Sequence, residues 1–228
     1  MIDIAVVDYG MGNLRSVAKA LEHVAPAKVI AVTSDPAAIR AAERVVFPGQ
    51  GAMPDCMREM DARGLRAPLL EAAGSKPFLG LCIGLQMLFE HSEEGDTPGL
   101  GVLPGKVVRF SSAGSHGEQG EKLKVPHMGW NQVYQTISHP MWEGIADGSR
   151  FYFVHSYYVD TPEQGLVAGT SRYPWSFTCA VARHNIFAVQ FHPEKSQSAG
   201  LRLLSNFVSW SGAKRVAVQT RAVPAANV

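Results

Sequence analysis

Apolar residues in the first ninety positions fall into short runs, and between the runs they recur at helical spacing. Ile2 to Val7 is a first strand. Asn13 then caps a segment that places Leu14, Val17, Ala18, Leu21 and Val24 on one face of a helix. Val29 to Val32 predicts a second strand, and Asp35-Pro36 opens a helix through an acidic cap and a first-turn proline. Val45-Val46-Phe47 is a third strand, stopped by "PGQG" at 48–51. Residues 55–73 read as helical with a break at Gly64, and Pro77 to Leu81 is a fourth strand feeding a helix over Leu85 to Glu90. Strands separated by helices imply right-handed crossovers and a parallel sheet covered on both faces.

From about residue 101 the alternation favours strands: "GVLPGKVVRF", "WNQVY", "RFYFVHSYYV" and "FTCAVARHNIFAVQF", the last turning as a hairpin at His184-Asn185. A final helix covers about 199–210, with Leu203, Leu204, Phe207 and Trp210 apolar. The polar, glycine-rich "SSAGSHGEQGEK" at 111–122 reads as a mobile loop, and 213–228 shows no clean period and reads as a loose tail. The expected architecture is α/β: an open mixed, mostly parallel sheet flanked by helices with an antiparallel extension, in one domain over 1–212.

Composition narrows the function classes. With 228 residues and 46% hydrophobic content the chain can bury a full core. A formal charge of +1 leaves no electrostatic footprint for nucleic acid. No apolar run reaches the roughly 20 residues that cross a bilayer. "MIDIAVVDYG" carries aspartates where a signal peptide carries basic residues, so a soluble cytoplasmic protein without membrane association is expected. The three cysteines, Cys56, Cys82 and Cys179, are far apart, with no C-x-x-C and no cysteine-histidine cluster at zinc spacing. Free thiols and no metal site follow.

Cys82 stands in "GLCIGLQ", between Gly80 and Gly84, where a strand ends and a helix begins. Such G-x-nucleophile-x-G elbows force a tight backbone turn and expose the central side chain at the carboxyl edge of a sheet, where open α/β sheets bind ligands. A helix N-terminus there supplies N–H groups and a positive dipole end that favour a thiolate or an oxyanion. A small buried cysteine fits the same residues. The balance moves with "AVQFHPEKS", 110 residues on, which presents His192 and Glu194 after a strand with Pro193 between them. A thiol nucleophile needs a proton acceptor, and the imidazole needs a carboxylate to set its tautomer. A strand-end turn with solvated side chains is the other reading of H-P-E. His23, His91, His116, His139 and His184 lack such a setting and read as surface or structural.

The elbow, the later H-P-E and the "PGQG" segment resemble the class I, triad-type glutamine amidotransferases. Within that family "VVDYGMGNLRSV", "VVFPGQGAM", "GLCIGLQMLFE", "KVPHMGWNQV", "FYFVHSYYV" and "FAVQFHPEKSQ" are similar to the glutaminase subunits of imidazole glycerol phosphate synthase, across nearly the whole chain. "PHMGWN" and "VHSYY" are the specific segments. Ile83 and Leu85 depart mildly from the leucine and methionine common at the elbow.

The resemblance implies hydrolysis of L-glutamine through a covalent thioester on Cys82, with His192 as acid and base and Glu194 orienting it. It implies no cofactor. The oxyanion donors would be the Ile83 backbone N–H and one from Gln50 or Gly51, whose glycines also permit peptide reorientation. Gln86, a helical turn beyond Cys82, would hold the amino-acid end of glutamine, and His155, Ser156 and Tyr157 would supply backbone contacts. The partner implied is the cyclase subunit, a (β/α)₈ barrel on a separate chain, forming a heterodimer with Asn13, His127 and Trp130 as contact candidates. Each of these three also fits a structural role: helix cap, loop residue and core. Three competing readings use the same residues: a stand-alone thiol hydrolase, a related amidotransferase serving pyridoxal phosphate, anthranilate or guanylate synthesis, and a nucleotide-binding module prompted by "GMGNLR". The last is weakened by Arg15, which stands where G-x-G-x-x-G needs its third glycine.

Overall fold

The computed structural model describes residues 2–111 and 124–212. The first strands are β1 (Ile4–Val7), β2 (Ile30–Thr33), β3 (Arg44–Phe47) and β4 (Phe78–Leu81). They alternate with α1 (Leu14–Val24), α2 (Pro36–Ala41), α3 (Met53–Ala62) and α4 (Arg66–Ser75). After the one-turn α5 (Ile83–Gln86) come β5 (Phe89–Ser92), β6 (Thr97–Pro98), β7 (Leu103–Arg109), β8 (His127–Gln135), β9 (Ser149–His155), β10 (Tyr157–Asp160), β11 (Val167–Arg172), β12 (Ser176–Arg183) and β13 (Ile186–Val189), then α6 (Gln197–Ser209).

The described strands form one mixed sheet. Its core runs β2-β1-β3-β4-β13, all parallel. The path continues through β12 and β10, antiparallel, to β7, β5 and β6, while β11, β8 and β9 branch from β12. The parallel core and antiparallel extension match the sequence pattern, as does the β12–β13 hairpin, where His184 takes φ 53° and Arg183 faces Ile186.

The two-residue period of the strands divides the core. Ile4 and Val6 point toward Val17 and Leu21 of α1 and Leu203, Leu204 and Phe207 of α6. Ala5 and Val7 point the other way, toward Ile39, Met57, Met60 and Leu69 of α2, α3 and α4. Fully buried side chains such as Leu21 and Phe207 each contribute about 1.5–3 kcal/mol of transfer free energy, which holds both helical layers on the sheet.

Two expectations need correcting. The helix over Leu85 to Glu90 stops at Gln86 because the Leu88 carbonyl accepts from Val102 and Leu103 N–H, both at 2.9 Å, and Phe89 enters β5 beside Leu103. Gly99 crosses so close to the Phe89 carbonyl that a Cβ there would sit 2.0 Å away. Asn13 occupies the N-cap position of α1, but its ψ of 61° is not the extended value of a capping residue and its side chain makes no cap bond. Asp35 does cap α2, accepting from Ala37 N–H at 2.9 Å. The loop expected at 111–122, beyond Ser111, and the tail at 213–228 lie outside the described residues. Among those described, no helix is long and apolar enough to cross a membrane.

Two predictions concern stability. Gly64 breaks α3 from α4 at φ 65° with open space around it, whereas Gly74 lies exposed inside α4 with nothing near a would-be Cβ. Gly64→Ala therefore costs about 1–2 kcal/mol and Gly74→Ala gains about 0.5–1 kcal/mol in urea unfolding. A same-sign effect would mean that space, not backbone conformation, decides at these positions. Burial also pushes three imidazoles down from their ordinary 6.5: His127 to about 4, His139 to about 4 and His155 to about 3. With folded values below the unfolded one, the unfolded chain binds more protons between them. Their stability contribution is complete above about pH 6.5 and is lost as pH falls toward 4. Urea midpoints measured from pH 7.5 down to 4.5 should fall steadily below 6.5, and a flat profile would contradict the neutral buried imidazoles.

Candidate active site

The register of the parallel strands decides which side chains meet at their carboxyl edge. Leu81 of β4 pairs with Val189 of β13, and the Cys82 N–H donates to the Val189 carbonyl at 2.8 Å. The residues that follow, Cys82 on one strand and Gln190 on the other, emerge side by side with His192 close behind. On the other flank of β4, Phe47 of β3 pairs with Gly80, which brings 48–51 to the same edge.

Cys82 sits at φ 55°, ψ −112°, a region that costs a non-glycine residue about 1–3 kcal/mol. Crowding explains its two glycines. A Cβ on Gly84 would lie 2.0 Å from the Phe47 carbonyl oxygen, and one on Gly80 would lie 2.9 Å from Ala188 Cβ. The elbow is thus packed between β3 and β13 with no room for side chains at either glycine. Because α5 is four residues long, its dipole is weaker than a full helix would supply. The other two thiols are inert by environment: burial pushes Cys56 up to about 11 and Cys179 well above its ordinary value.

His192 Nδ1 lies 2.9 Å from Glu194 Oε1, with both side chains almost wholly buried. The carboxylate accepts there, so Nδ1 carries a proton and Nε2 is the nitrogen left to act. Burial alone would lower the His192 pKa, but the neighbouring Cys82 and Glu194 outweigh it and raise it to about 10. Among the described residues four buried side-chain atoms have no hydrogen-bond partner: His192 Nε2, Glu194 Oε2, Tyr9 Oη and Ser171 Oγ. His192 and Glu194 follow β13 and Tyr9 follows β1, so the first three lie on segments that leave the carboxyl ends of these parallel strands.

A directed hydrogen-bond chain reaches Cys82 from the other side. The Tyr157 carbonyl can only accept, and it faces His155 Nδ1 at 2.8 Å and Gln86 Nε2 at 3.1 Å. His155 Nδ1 is therefore protonated, and its Nε2 accepts from His127 Nδ1 at 2.9 Å. His127 Nε2 accepts in turn from Asn131 Nδ2 at 3.1 Å. Gln86 Nε2 also donates to Gln190 Oε1 at 2.9 Å, which turns Gln190 Nε2 toward Cys82 Sγ at 3.8 Å.

The structure thus brings Cys82, His192, Glu194 and Gln86 to one edge. Ile83 is buried beside them, and Gln50 and Gly51 are exposed on the adjoining loop, Gly51 at φ 124°. That loop touches the first one: a Cβ on Gly12 would lie 3.4 Å from Gly49 Cα, and one on Gly49 would lie 1.9 Å from Tyr9 Oη. In "HSY" the Tyr157 carbonyl is held by Gln86 and His155, and the Ser156 carbonyl accepts from Phe110 N–H at 3.0 Å. Of the contact candidates, Asn13 and Trp130 are exposed. His127 is not. It is buried in β8, stacked 4.1 Å from Tyr173 and 4.9 Å from Phe153, because alternation along the strand turns it inward. Sequence reasoning missed Gln190 and Tyr9. Gln190 did leave a signal, a polar residue continuing the buried run "IFAV".

Comparison with known proteins fits this geometry. The family described as glutamine amidotransferase class-I matches residues 5–210. The protein named imidazole glycerol phosphate synthase subunit HisH from Aromatoleum aromaticum is 69% identical over 211 residues, 92% of this chain and 100% of that one. Its namesake from Nitrosospira multiformis is 68% identical, over 92% of this chain and 99% of that one. A crystal structure of a glutamine amidotransferase superposes with a TM-score of 0.66 at 18% identity, covering 90% of this chain and 99% of that chain, a likeness of fold. With a sequence match over nine-tenths of its length and an elbow cysteine set beside a histidine at the strand ends, the chain belongs to the class-I glutamine amidotransferase family, among the imidazole glycerol phosphate synthase HisH subunits.

Proposed function

We propose that this chain hydrolyses L-glutamine with a Cys82-His192-Glu194 triad and passes the ammonia to a cyclase subunit that forms imidazole glycerol phosphate in histidine biosynthesis. The observation that carries the triad is the β4–β13 register, which delivers the strained Cys82 and the Glu194-paired His192 to one edge of the sheet.

In this reading the Cys82 thiol gives its proton to His192 Nε2 and Sγ attacks the side-chain amide carbon of glutamine, forming a C–S bond and placing the displaced electron pair on oxygen. The oxyanion is held by the Ile83 N–H and an N–H from Gln50 or Gly51. His192 protonates the leaving nitrogen as the C–N bond breaks, and ammonia departs. Water then attacks the thioester while His192 Nε2 takes its proton, and the C–S bond breaks to return the sulfur. Glu194 holds the imidazole through Nδ1 and stabilises its charged form, a role supported by the raised His192 pKa. Gln86, with both N–H groups bound inside the protein, keeps its Oε1 for the substrate ammonium. No step needs a cofactor.

Docking on the cyclase is supported by the outward face of β8, where Met128 is 62%, Trp130 43% and Tyr134 40% exposed. An apolar, aromatic patch of this kind marks an interaction surface. Asn13 and Trp130 remain contact candidates on this reading, as does cytoplasmic location. The contact between the 9–13 and 48–51 loops offers a route by which a docked partner reorients the Gln50 peptide.

Two predictions test this function. Cys82→Ala should abolish glutamine turnover with folding intact, His192→Ala should cost nearly as much, and Glu194→Gln less. Substantial turnover by Cys82→Ala would remove Cys82 from the mechanism. Cys56→Ala and Cys179→Ala should keep most activity. Glutamine hydrolysis should also rise when cyclase is added and rise again with its nucleotide ligand. Full activity of the isolated chain, unchanged by either addition, would favour a stand-alone hydrolase.

A further inference from the structure

Gln190 is fully buried and lies at the carboxyl end of β13, beside the elbow rather than in it. Its backbone N–H is used by the Cys179 carbonyl at 2.8 Å, so the side-chain amide is what it offers to the site. A side-chain amide can point either end at a neighbour, and only its partners decide which. Here the decision traces back to a backbone atom. The Tyr157 carbonyl has no proton to give, so the Gln86 atom facing it must be Nε2. The same nitrogen faces Gln190 at 2.9 Å, so the atom presented there must be Oε1. Gln190 Nε2 is thereby left toward Cys82 Sγ at 3.8 Å, within range for an N–H···S contact. The sulfur thus receives a donor whose direction is fixed by the partners behind it.

We infer that Gln190 is a positioning residue for the proposed nucleophile, its amide donating to Cys82 sulfur in an orientation locked through Gln86 by the Tyr157 carbonyl. The inference rests on the role proposed for Cys82. On this account the sulfur is held from two sides. His192 faces it as the proton carrier, and Gln190 holds its position from the end of a strand that cannot move without breaking the β4–β13 pairing. The donor contact is made before glutamine binds and again when the thioester is cleaved. Its loss therefore falls on turnover more than on substrate affinity.

The test uses the full chain with its cyclase. Gln190→Met keeps the length of the side chain and removes both amide ends, while Gln190→Glu keeps an acceptor for Gln86 and removes the donor to sulfur. Both should lower kcat about tenfold or more with KM changed less than about threefold, and both should slow iodoacetamide alkylation of Cys82 to a similar degree. If Gln190→Glu retains full kcat and alkylation rate, Gln190 serves only to brace Gln86 and the inference is overturned. A rise in KM with unchanged kcat overturns it too. Should neither variant fold, the side-chain amide resonance of Gln190 decides. It must shift when Cys82→Ala removes the acceptor, and an unmoved resonance refutes the contact. Failure of the proposed function reads differently: Cys82→Ala would then keep its turnover, whereas failure of this inference leaves that variant inactive and the Gln190 variants intact.

Discussion

The pairing of β4 with β13 is the constraint on which the rest depends. These strands lie more than a hundred residues apart in the chain, and they meet as parallel neighbours with Leu81 beside Val189. Backbone hydrogen bonds and two layers of buried side chains hold that register. A one-residue slip would turn Leu79 and Leu81 out of one core layer and Phe78 out of the other. The same slip would carry Gln190 and His192 away from Cys82. The geometry of the candidate site and the packing of the core are therefore enforced by one set of interactions.

Strain and space at the elbow are balanced by that packing. The positive φ at Cys82 is an unfavourable backbone state which the surrounding structure must impose. It does so by running the chain between β3 and β13 at van der Waals contact, close enough that Gly84 touches the Phe47 carbonyl. The cost is met by the burial of Ile83 and Leu85 immediately after the turn, in the layer that holds α3 and α4. The side chain at 82 is then presented at the edge beside Gln190, the positioning that its proposed role as nucleophile requires.

The polar interior has a direction. Acceptor-only groups, the Tyr157 carbonyl on one side and the Glu194 carboxylate on the other, fix the protons of His155, His127, Gln86, Gln190 and His192. In a low-dielectric setting such chains polarise their members and penalise any break. The His127–His155 end runs through Asn131 to the Arg172 carbonyl, on the face of β8 opposite Met128, Trp130 and Tyr134. His192 is the member driven toward its charged form, and His127 and His155 are held neutral by burial.

Much of this was legible in the residues themselves. Alternating apolar runs and helical stripes predicted β1 to β4 and α1 to α4 within a few positions, Gly64 marked the break between α3 and α4, and His184-Asn185 marked the β12–β13 hairpin. Cys82 between two glycines and His192-Pro193-Glu194 after an apolar strand identified the candidate nucleophile and base, because those local signals are written in consecutive residues. What the sequence could not settle was anything decided by a distant backbone atom. The end of α5 at Gln86 depends on Val102 and Leu103 claiming the Leu88 carbonyl, the burial of His127 on its stack with Tyr173, and the orientation of Gln190 on the Tyr157 carbonyl. Local spacing sets which elements form and which chemistry they carry. The register of strands far apart in the chain, set by hydrogen bonds and packing that no short segment contains, decides which of those groups face one another and which end of each is offered.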